Sequence, residues 1–169
     1  MLEQGGNVDV IYTDFEKAYE KVDHKKLIEK CKTLGISGKI GKWIEKLMEN
    51  RYQQVLIEGE KSEKSKVLSG SIQGSVIGPL LFLIYIQDIS KEAKTDIKIV
   101  DDDKVKANIK TETNVEELQE DMDRLYKWQN ENKMKFNGSK LQFVRNGPKE
   151  EIKNNTIYQA RAKRGFFTN

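Results

Sequence analysis

The stretch Ile97–Val105, I-K-I-V-D-D-D-K-V, constrains the fold of this chain more than any other. Apolar and charged residues alternate up to Asp101, and the same alternation resumes after Asp103. A period of two marks a half-buried strand, and aspartate favours turns, so the stretch predicts a β-hairpin with its acids at the tip. Three adjacent carboxylates repel one another unless solvent or a cation offsets the field. A solvated acidic turn satisfies that condition. So does a hard divalent ion such as Mg²⁺, which takes one or two carboxylates plus substrate phosphates. A second carboxylate, Asp14, directly after another strand-like segment, gives the metal reading its weight.

The chain has 169 residues, enough for one domain with a real core. Only 37% of residues are hydrophobic and 34% are charged, so the apolar residues must be concentrated in a few segments. The formal net charge of +3 is a weak argument for a polyanion partner. The excess is also local: residues 149–169 hold five basic and two acidic residues, which leaves 1–148 formally neutral. One cysteine, Cys31, excludes an internal disulfide and a multi-cysteine zinc site. The N-terminus lacks the basic-then-apolar pattern of a signal segment. The longest apolar run, Val76 to Ile86, is interrupted by Gly78 and Pro79 and is far short of a bilayer span. These features read as an intracellular protein, cytoplasmic or nuclear, with no membrane partner.

In chain order, Val8–Thr13 predicts a buried strand that ends at Asp14. Leu27, Ile28, Cys31 and Leu34 recur at helical spacing, with Gly35 as a stop. Ser37 is placed to cap a second helix, whose stripe of Ile40, Trp43, Ile44, Leu47 and Met48 predicts a core-facing side. Tyr52–Ile57 and Lys66–Leu68 predict two strands. Residues 69–79, S-G-S-I-Q-G-S-V-I-G-P, mark a backbone that bends or lets something approach closely. Leu80–Ile89 is apolar almost all round and predicts a helix buried between other elements. After the acidic hairpin, Asn114 and Glu117 suggest a capped helix start, with Val115, Leu118, Met122, Leu125 and Trp128 along one face. Residues 135–140 predict a turn, and Leu141–Val144 a short strand. The order β-α-α-β-β-α-β-β-α-β defines an α+β domain over 1–148, followed by a basic polar tail over 149–169.

If the strand before Asp14 neighbours the acidic hairpin, Asp14, Asp101 and Asp102 converge. Convergent carboxylates on rigid elements are what a two-metal phosphoryl-transfer site requires, with ions about 3.5–4 Å apart. The separation of 87 positions from Asp14 to Asp101 leaves convergence open at this level.

Three segments in this order resemble a known family: D-F-E-K-A-Y-E-K-V-D-H at 14–24, S-G-S-I-Q-G-S-V-I-G-P-L-L-F-L-I-Y-I-Q-D-I at 69–89, and I-V-D-D-D-K at 99–104. Together they closely resemble the palm motifs of reverse transcriptases from non-LTR (LINE-type) retrotransposons. The Trp43 helix with Asn50-Arg51 and the stretch from Trp128 to F-N-G-S-K at 136–140 agree, so the resemblance spans about residues 8–145.

The resemblance implies a palm-type antiparallel sheet with packed helices and RNA-directed DNA polymerase activity. It also implies two Mg²⁺ ions, with Mn²⁺ as a substitute. RNA template, DNA primer and deoxynucleoside triphosphates are the implied partners. Asp14 resembles the metal-binding aspartate of the first palm motif, with the Phe15 carbonyl as an extra ligand. Asp101 would bridge both ions and Asp102 would support them. Tyr19 falls where the family places an aromatic under the incoming sugar; the bland reading is a core aromatic. Gln73 and Gly74 match the loop along template and incoming base pair. Lys140 matches a lysine that reaches the pyrophosphate leaving group; the bland reading is a solvated surface lysine. Arg51 and His24 are family-like without an assignable chemical role, His24 reading as a helix-start residue.

Several positions depart from the family pattern. Ile99-Val100 replaces the usual aromatic-alanine, Ile72 the usual proline, and Glu20 an aspartate; none of these removes a ligand. Few residues precede Asp14, and the motif resemblance ends near 145. The expectation is therefore a palm-centred fragment with fingers and thumb largely missing. Two alternatives stay open: a non-catalytic remnant that binds nucleic acid or protein, and a cyclase-like phosphotransferase on a similar palm.

Overall fold

A computed structural model describes residues 8–91, 96–101, 104–109, 113–140 and 142–146. The elements in chain order are β1 (Val8–Thr13), α1 (His24–Thr33), α2 (Gly38–Met48), β2 (Tyr52–Gln53), β3 (Leu56–Ile57), β4 (Glu60–Lys61), β5 (Ser65–Lys66), α3 (Ile77–Ile86), β6 (Asp96–Asp101), β7 (Lys104–Ile109), α4 (Thr113–Glu131) and β8 (Gln142–Asn146). The α+β class agrees with the sequence reading, and so does the element order except between α2 and α3, where four strands stand in place of two. The chain forms two compact units, one of Met1–Ala18 with Asp88–Asn169 and the other of Tyr19–Gln87. The tail expected at 149–169 lies outside the described residues.

The first unit is built on a four-stranded sheet in the order β6-β7-β1-β8. β1 pairs antiparallel with both β7 and β8, as suits an apolar, β-favouring segment with a neighbour on each edge. The predicted hairpin is β6 and β7, with Asp101 at the end of β6 opposite Lys104. A bulge between Ile99 and Asp101 places one extra residue, Val100, on β6. Asp102 and Asp103 lie outside the described residues. α4 starts at Thr113, so Asn114 sits within its first turn rather than at the cap. Met122, Leu125 and Trp128 are buried along α4 as predicted. The side chains of Val115 and Leu118 lie outside the described residues. Asp121, which the sequence did not flag, is fully buried and ion-paired with Arg124 at 2.5 Å. Its hydrogen bond raises the Arg124 pKa above the usual guanidinium value.

In the second unit, Asp23 caps α1 by accepting the Lys26 N–H at 3.1 Å. Gly35 ends the helix in the left-handed region at φ +80°. The Ile36 N–H reaches the Cys31 carbonyl and the Gly35 N–H the Lys32 carbonyl, the Schellman pattern that requires glycine here. α1 packs on both α2 and α3, burying Leu27 and Cys31. Burial raises the Cys31 pKa, so less thiolate is present at neutral pH. Thiol-labelling reagents are therefore expected to modify Cys31 only at the rate at which the chain opens. Rapid labelling of the folded chain in a mass-spectrometric time course would contradict this packing.

Several expectations for this unit need correction. Ser37 occupies the N-cap position of α2 but makes no side-chain capping bond. Trp43 and Ile40 are exposed rather than in the core. The packed side of α2 is centred on Ile44 and Met48, with half-buried Gly41 and Glu45, which rotates Trp43 to the margin. A β-carbon on Gly41 would lie 2.9 Å from the Ile36 carbonyl oxygen, so glycine permits the close approach on that side. The two predicted strands at 52–57 and 66–68 are four short ones in nested hairpins: β2 pairs with β5, and β3 with β4 around Glu58-Gly59. α3 is buried on one side only. Leu81, Phe82, Tyr85 and Ile86 are buried, whereas Val76, Leu80 and Leu83 line an exposed face. Among the described residues, no helix is long and apolar enough to cross a membrane.

Candidate active site

Strand register brings the distant acids to one end of the sheet. Thr13, the last residue of β1, pairs with Val105, and Asp101 pairs with Lys104 on the other side of β7. Continued by one residue, the register sets Asp14 level with Lys104 and so with Asp101. Their backbones are then two strand spacings apart, on the order of 10 Å. The backbone topology thus sets Asp14 and Asp101 at the same end of one sheet, with β7 between their strands. The Asp101 side chain and all of Asp102 lie outside the described residues. Among the described residues no group of three or more potential metal ligands is assembled.

Asp14 is held by a second, short ladder. Phe15 forms an isolated antiparallel bridge with Phe136. The bonds of this bridge run through the neighbours: the Glu16 N–H donates to the Lys135 carbonyl at 2.7 Å, and the Asn137 N–H to the Asp14 carbonyl at 2.6 Å. Phe136 therefore takes neither the N–H nor the carbonyl of Phe15; its own N–H donates to Gln129 Oε1 at 3.0 Å. The two phenylalanine rings stack with centroids 4.6 Å apart, and Trp128 lies 6.0 Å from Phe15. The Trp128 indole N–H is fixed by Asp88 Oδ1 at 2.8 Å. The predicted turn at 135–140 is a 3₁₀ turn at Gly138–Lys140, and the residues before it form the bridge partner of the segment carrying Asp14.

The Asp14 side chain is 13% exposed. Its Oδ1 is buried with no hydrogen-bond partner among the described residues, while Oδ2 accepts from Lys140 Nζ at 2.5 Å. A buried carboxylate oxygen without a partner is costly unless something coordinates it. The donor chemistry fits a hard divalent cation, which takes carboxylate oxygens. Lys140 is neither merely solvated nor free, since it is the counter-ion of Asp14.

Tyr19, Gln73 and Gly74 belong to the second unit. Tyr19 is half-buried, its ring 4.6 Å from that of Phe82. The glycine-serine stretch is sewn to the segment that follows Tyr19. The Ser71 N–H donates to the Tyr19 carbonyl at 2.7 Å, and the Gly70 N–H to Val22 at 2.8 Å. Ser69 Oγ donates to the Glu20 carbonyl at 2.9 Å. His24, without a role in the sequence reading, starts α1 and lies 2.9 Å from the Gly70 carbonyl through Nε2. Gly70 has φ +98°, and a β-carbon there would stand 3.2 Å from the Tyr19 carbonyl oxygen. Gly70→Ala is expected to destabilise the chain by about 1–3 kcal/mol, read as a lower urea midpoint. An unchanged midpoint would show that this seam carries no strain limit. Past the seam, Gln73 and Gly74 are exposed, Gly74 at φ +76° with open space where a β-carbon would be. Ser75 Oγ closes the loop by donating to the Ile72 carbonyl and accepting the Gly78 N–H.

Comparison with known proteins identifies the family and the fold. Residues 2–160 match the family model described as reverse transcriptase (RNA-dependent DNA polymerase), and the chain belongs to that family. The match runs past residue 145, where the motif resemblance was expected to end. The RNA-directed DNA polymerase from mobile element jockey of Drosophila melanogaster is 29% identical over 94 residues, 56% of this chain and 10% of that protein. Its Drosophila funebris counterpart is 31% identical over 48% of this chain and 9% of its own length. The retrovirus-related Pol polyprotein of type-1 retrotransposable element R2 from Popillia japonica is 23% identical over 51% of this chain and 14% of its own length. These relatives are retrotransposon proteins, as the motifs implied, and the chain spans only about a tenth of the jockey polymerases. Apo telomerase from Candida tropicalis, lacking its C-terminal domain, superposes with a TM-score of 0.65 at 13% identity. That superposition covers 90% of this chain and 33% of that one. The fold is therefore of the polymerase palm type.

Proposed function

We propose that this chain carries the catalytic palm of an RNA-directed DNA polymerase, which adds deoxynucleotides to a primer 3′-OH on an RNA template. The observation that carries the reading is the shared sheet end of Asp14 and Asp101, together with the unpartnered, buried Asp14 Oδ1. Asp14, Asp101, Asp102 and the Phe15 carbonyl would hold two divalent ions, Mg²⁺ or Mn²⁺. Two aspartates with cations between them span a separation of about the size the register sets. When bound, such ions ease deprotonation of the primer hydroxyl and neutralise charge on the transferred phosphoryl group.

The chain's own residues do the rest. The β6–β7 hairpin and the Phe15–Phe136 ladder hold the acids on rigid backbone, which favours a site organised before substrate arrives. Tyr19 is assigned to the sugar of the incoming nucleotide, where a flat ring excludes a ribose 2′-OH. Gln73, with donor and acceptor both exposed, and Gly74, with no side chain to block approach, are assigned to template and base pair. Lys140 is assigned to the leaving pyrophosphate once it leaves Asp14.

Extension of a DNA primer on an RNA template with deoxynucleoside triphosphates tests this reading. Product that requires both template and Asp101 is the expected result. A second reading is that the chain only binds nucleic acid or protein. A folded chain that binds primer–template without extending it would establish that reading instead. Nucleotide turnover without template would point to a cyclase-like enzyme.

A further inference from the structure

We infer that Lys140 is a built-in counter-cation of Asp14, which a divalent ion must displace in order to bind. The inference rests on the cation-binding reading of Asp14 and adds a competitor to it. Lys140 Nζ lies 2.5 Å from Asp14 Oδ2, so ammonium and divalent ion contend for the same lone pairs of one nearly buried carboxylate.

The contact is built by its backbone rather than by a long side chain reaching across solvent. The Asn137 N–H is tied to the carbonyl of Asp14 itself at 2.6 Å. Asn137 Oδ1 accepts from the Ser139 N–H at 3.1 Å and the Ser139 hydroxyl at 2.7 Å. The Lys140 N–H then returns to the Asn137 carbonyl at 3.0 Å, closing a single 3₁₀ turn, Gly138–Lys140. Asp14 therefore fixes, through its own main chain, the turn that brings the lysine to its side chain. One turn earlier, Lys135 pairs with Glu16 at 3.3 Å, so the register of the ladder is set on both sides of Phe15.

Exposure makes the contact reversible. The Lys140 side chain is 64% exposed whereas that of Asp14 is 13% exposed. The lysine stem is open to water, while the carboxylate is held in place by its own backbone. Without a divalent ion, the ammonium supplies Asp14 with a positive charge and keeps a nearly buried anion paired. With one bound, the displaced ammonium stays close by and weakens the ion's hold.

The test is Mn²⁺ binding to the full chain, followed by the loss of the free-ion electron paramagnetic resonance signal, with no nucleotide or nucleic acid present. Lys140→Met should bind Mn²⁺ about tenfold more tightly than the parent chain, the order expected of one partly screened charge a few ångströms away. The gain should shrink as salt is raised. Lys140→Gln gives a second, polar removal of the charge should the methionine variant fold poorly, and Lys140→Arg should keep the parental affinity. Equal or weaker Mn²⁺ binding by both charge-removed variants would overturn the inference. Asp14→Asn separates the two levels. If it loses binding while Lys140→Met gains nothing, only the counter-cation role fails. If it binds as the parent does, the cation-binding reading fails as well.

Discussion

Asp14→Asn is expected to reduce RNA-templated primer extension by about 10³-fold or more, because charge stabilisation by a held divalent ion is worth several kcal/mol. The loss should appear in the rate at saturating nucleotide, since in the proposed role the residue would act on the transferred phosphoryl group rather than on substrate capture. Folding should survive. Asparagine keeps the shape of the nearly buried side chain and removes the charge that Lys140 balances, leaving the exposed lysine to water. A thermal midpoint close to that of the parent chain is thus expected alongside the lost extension. Asp101→Asn should match Asp14→Asn, and Asp102→Asn, in the supporting role, should cost less. Parental extension by Asp14→Asn, measured by gel-resolved products, would remove this residue from the site.

Phe136→Ala should lower stability by about 3–5 kcal/mol, the range for deleting a buried aromatic ring. Phe136 is buried, stacks on Phe15 at 4.6 Å, and shares that cluster with Trp128. Its removal empties the ladder that ties Lys135–Asn137 to Asp14–Glu16. Two effects should therefore travel together: a much lower urea midpoint and weaker divalent binding at Asp14 under conditions where the chain remains folded. Phe136→Leu, which refills most of the volume, should restore much of both. A Phe136→Ala chain as stable as the parent would show that the ladder rests on its hydrogen bonds alone.

Local patterning made much of this fold legible. The alternation around Asp101 marked a hairpin, the run Val8–Thr13 a strand, and Gly35 a helix stop, because each depends on neighbours within a few residues. The motifs likewise pointed to Asp14 and Asp101 before their strands could be placed together. What stayed hidden depends on partners far along the chain. The Phe15–Phe136 bridge joins residues 121 positions apart, and neither segment alternates long enough to announce a strand. Lys140 looked like a leaving-group lysine or a solvated one because nothing near it in sequence names Asp14 as its partner. Trp43 and the Leu80–Leu83 face misled in the opposite sense. Apolar character shows that a side chain can be buried, but not which side of a helix meets another element. Asp121 and Asp88 passed unnoticed among many acidic residues, since only burial and an arginine or indole partner distinguish them.

In the proposed site, Asp14 and the β6–β7 hairpin would hold cations together at one end of the sheet. Paramagnetic broadening by substoichiometric Mn²⁺ in amide-resolved NMR spectra of the full chain tests it most directly. The account predicts selective loss of the signals of residues 13–15, 100–105 and 137–140, with the far ends of β1 and β7 unaffected, and recovery on chelation. Broadening confined to other acidic segments, or spread evenly over the surface, would contradict it.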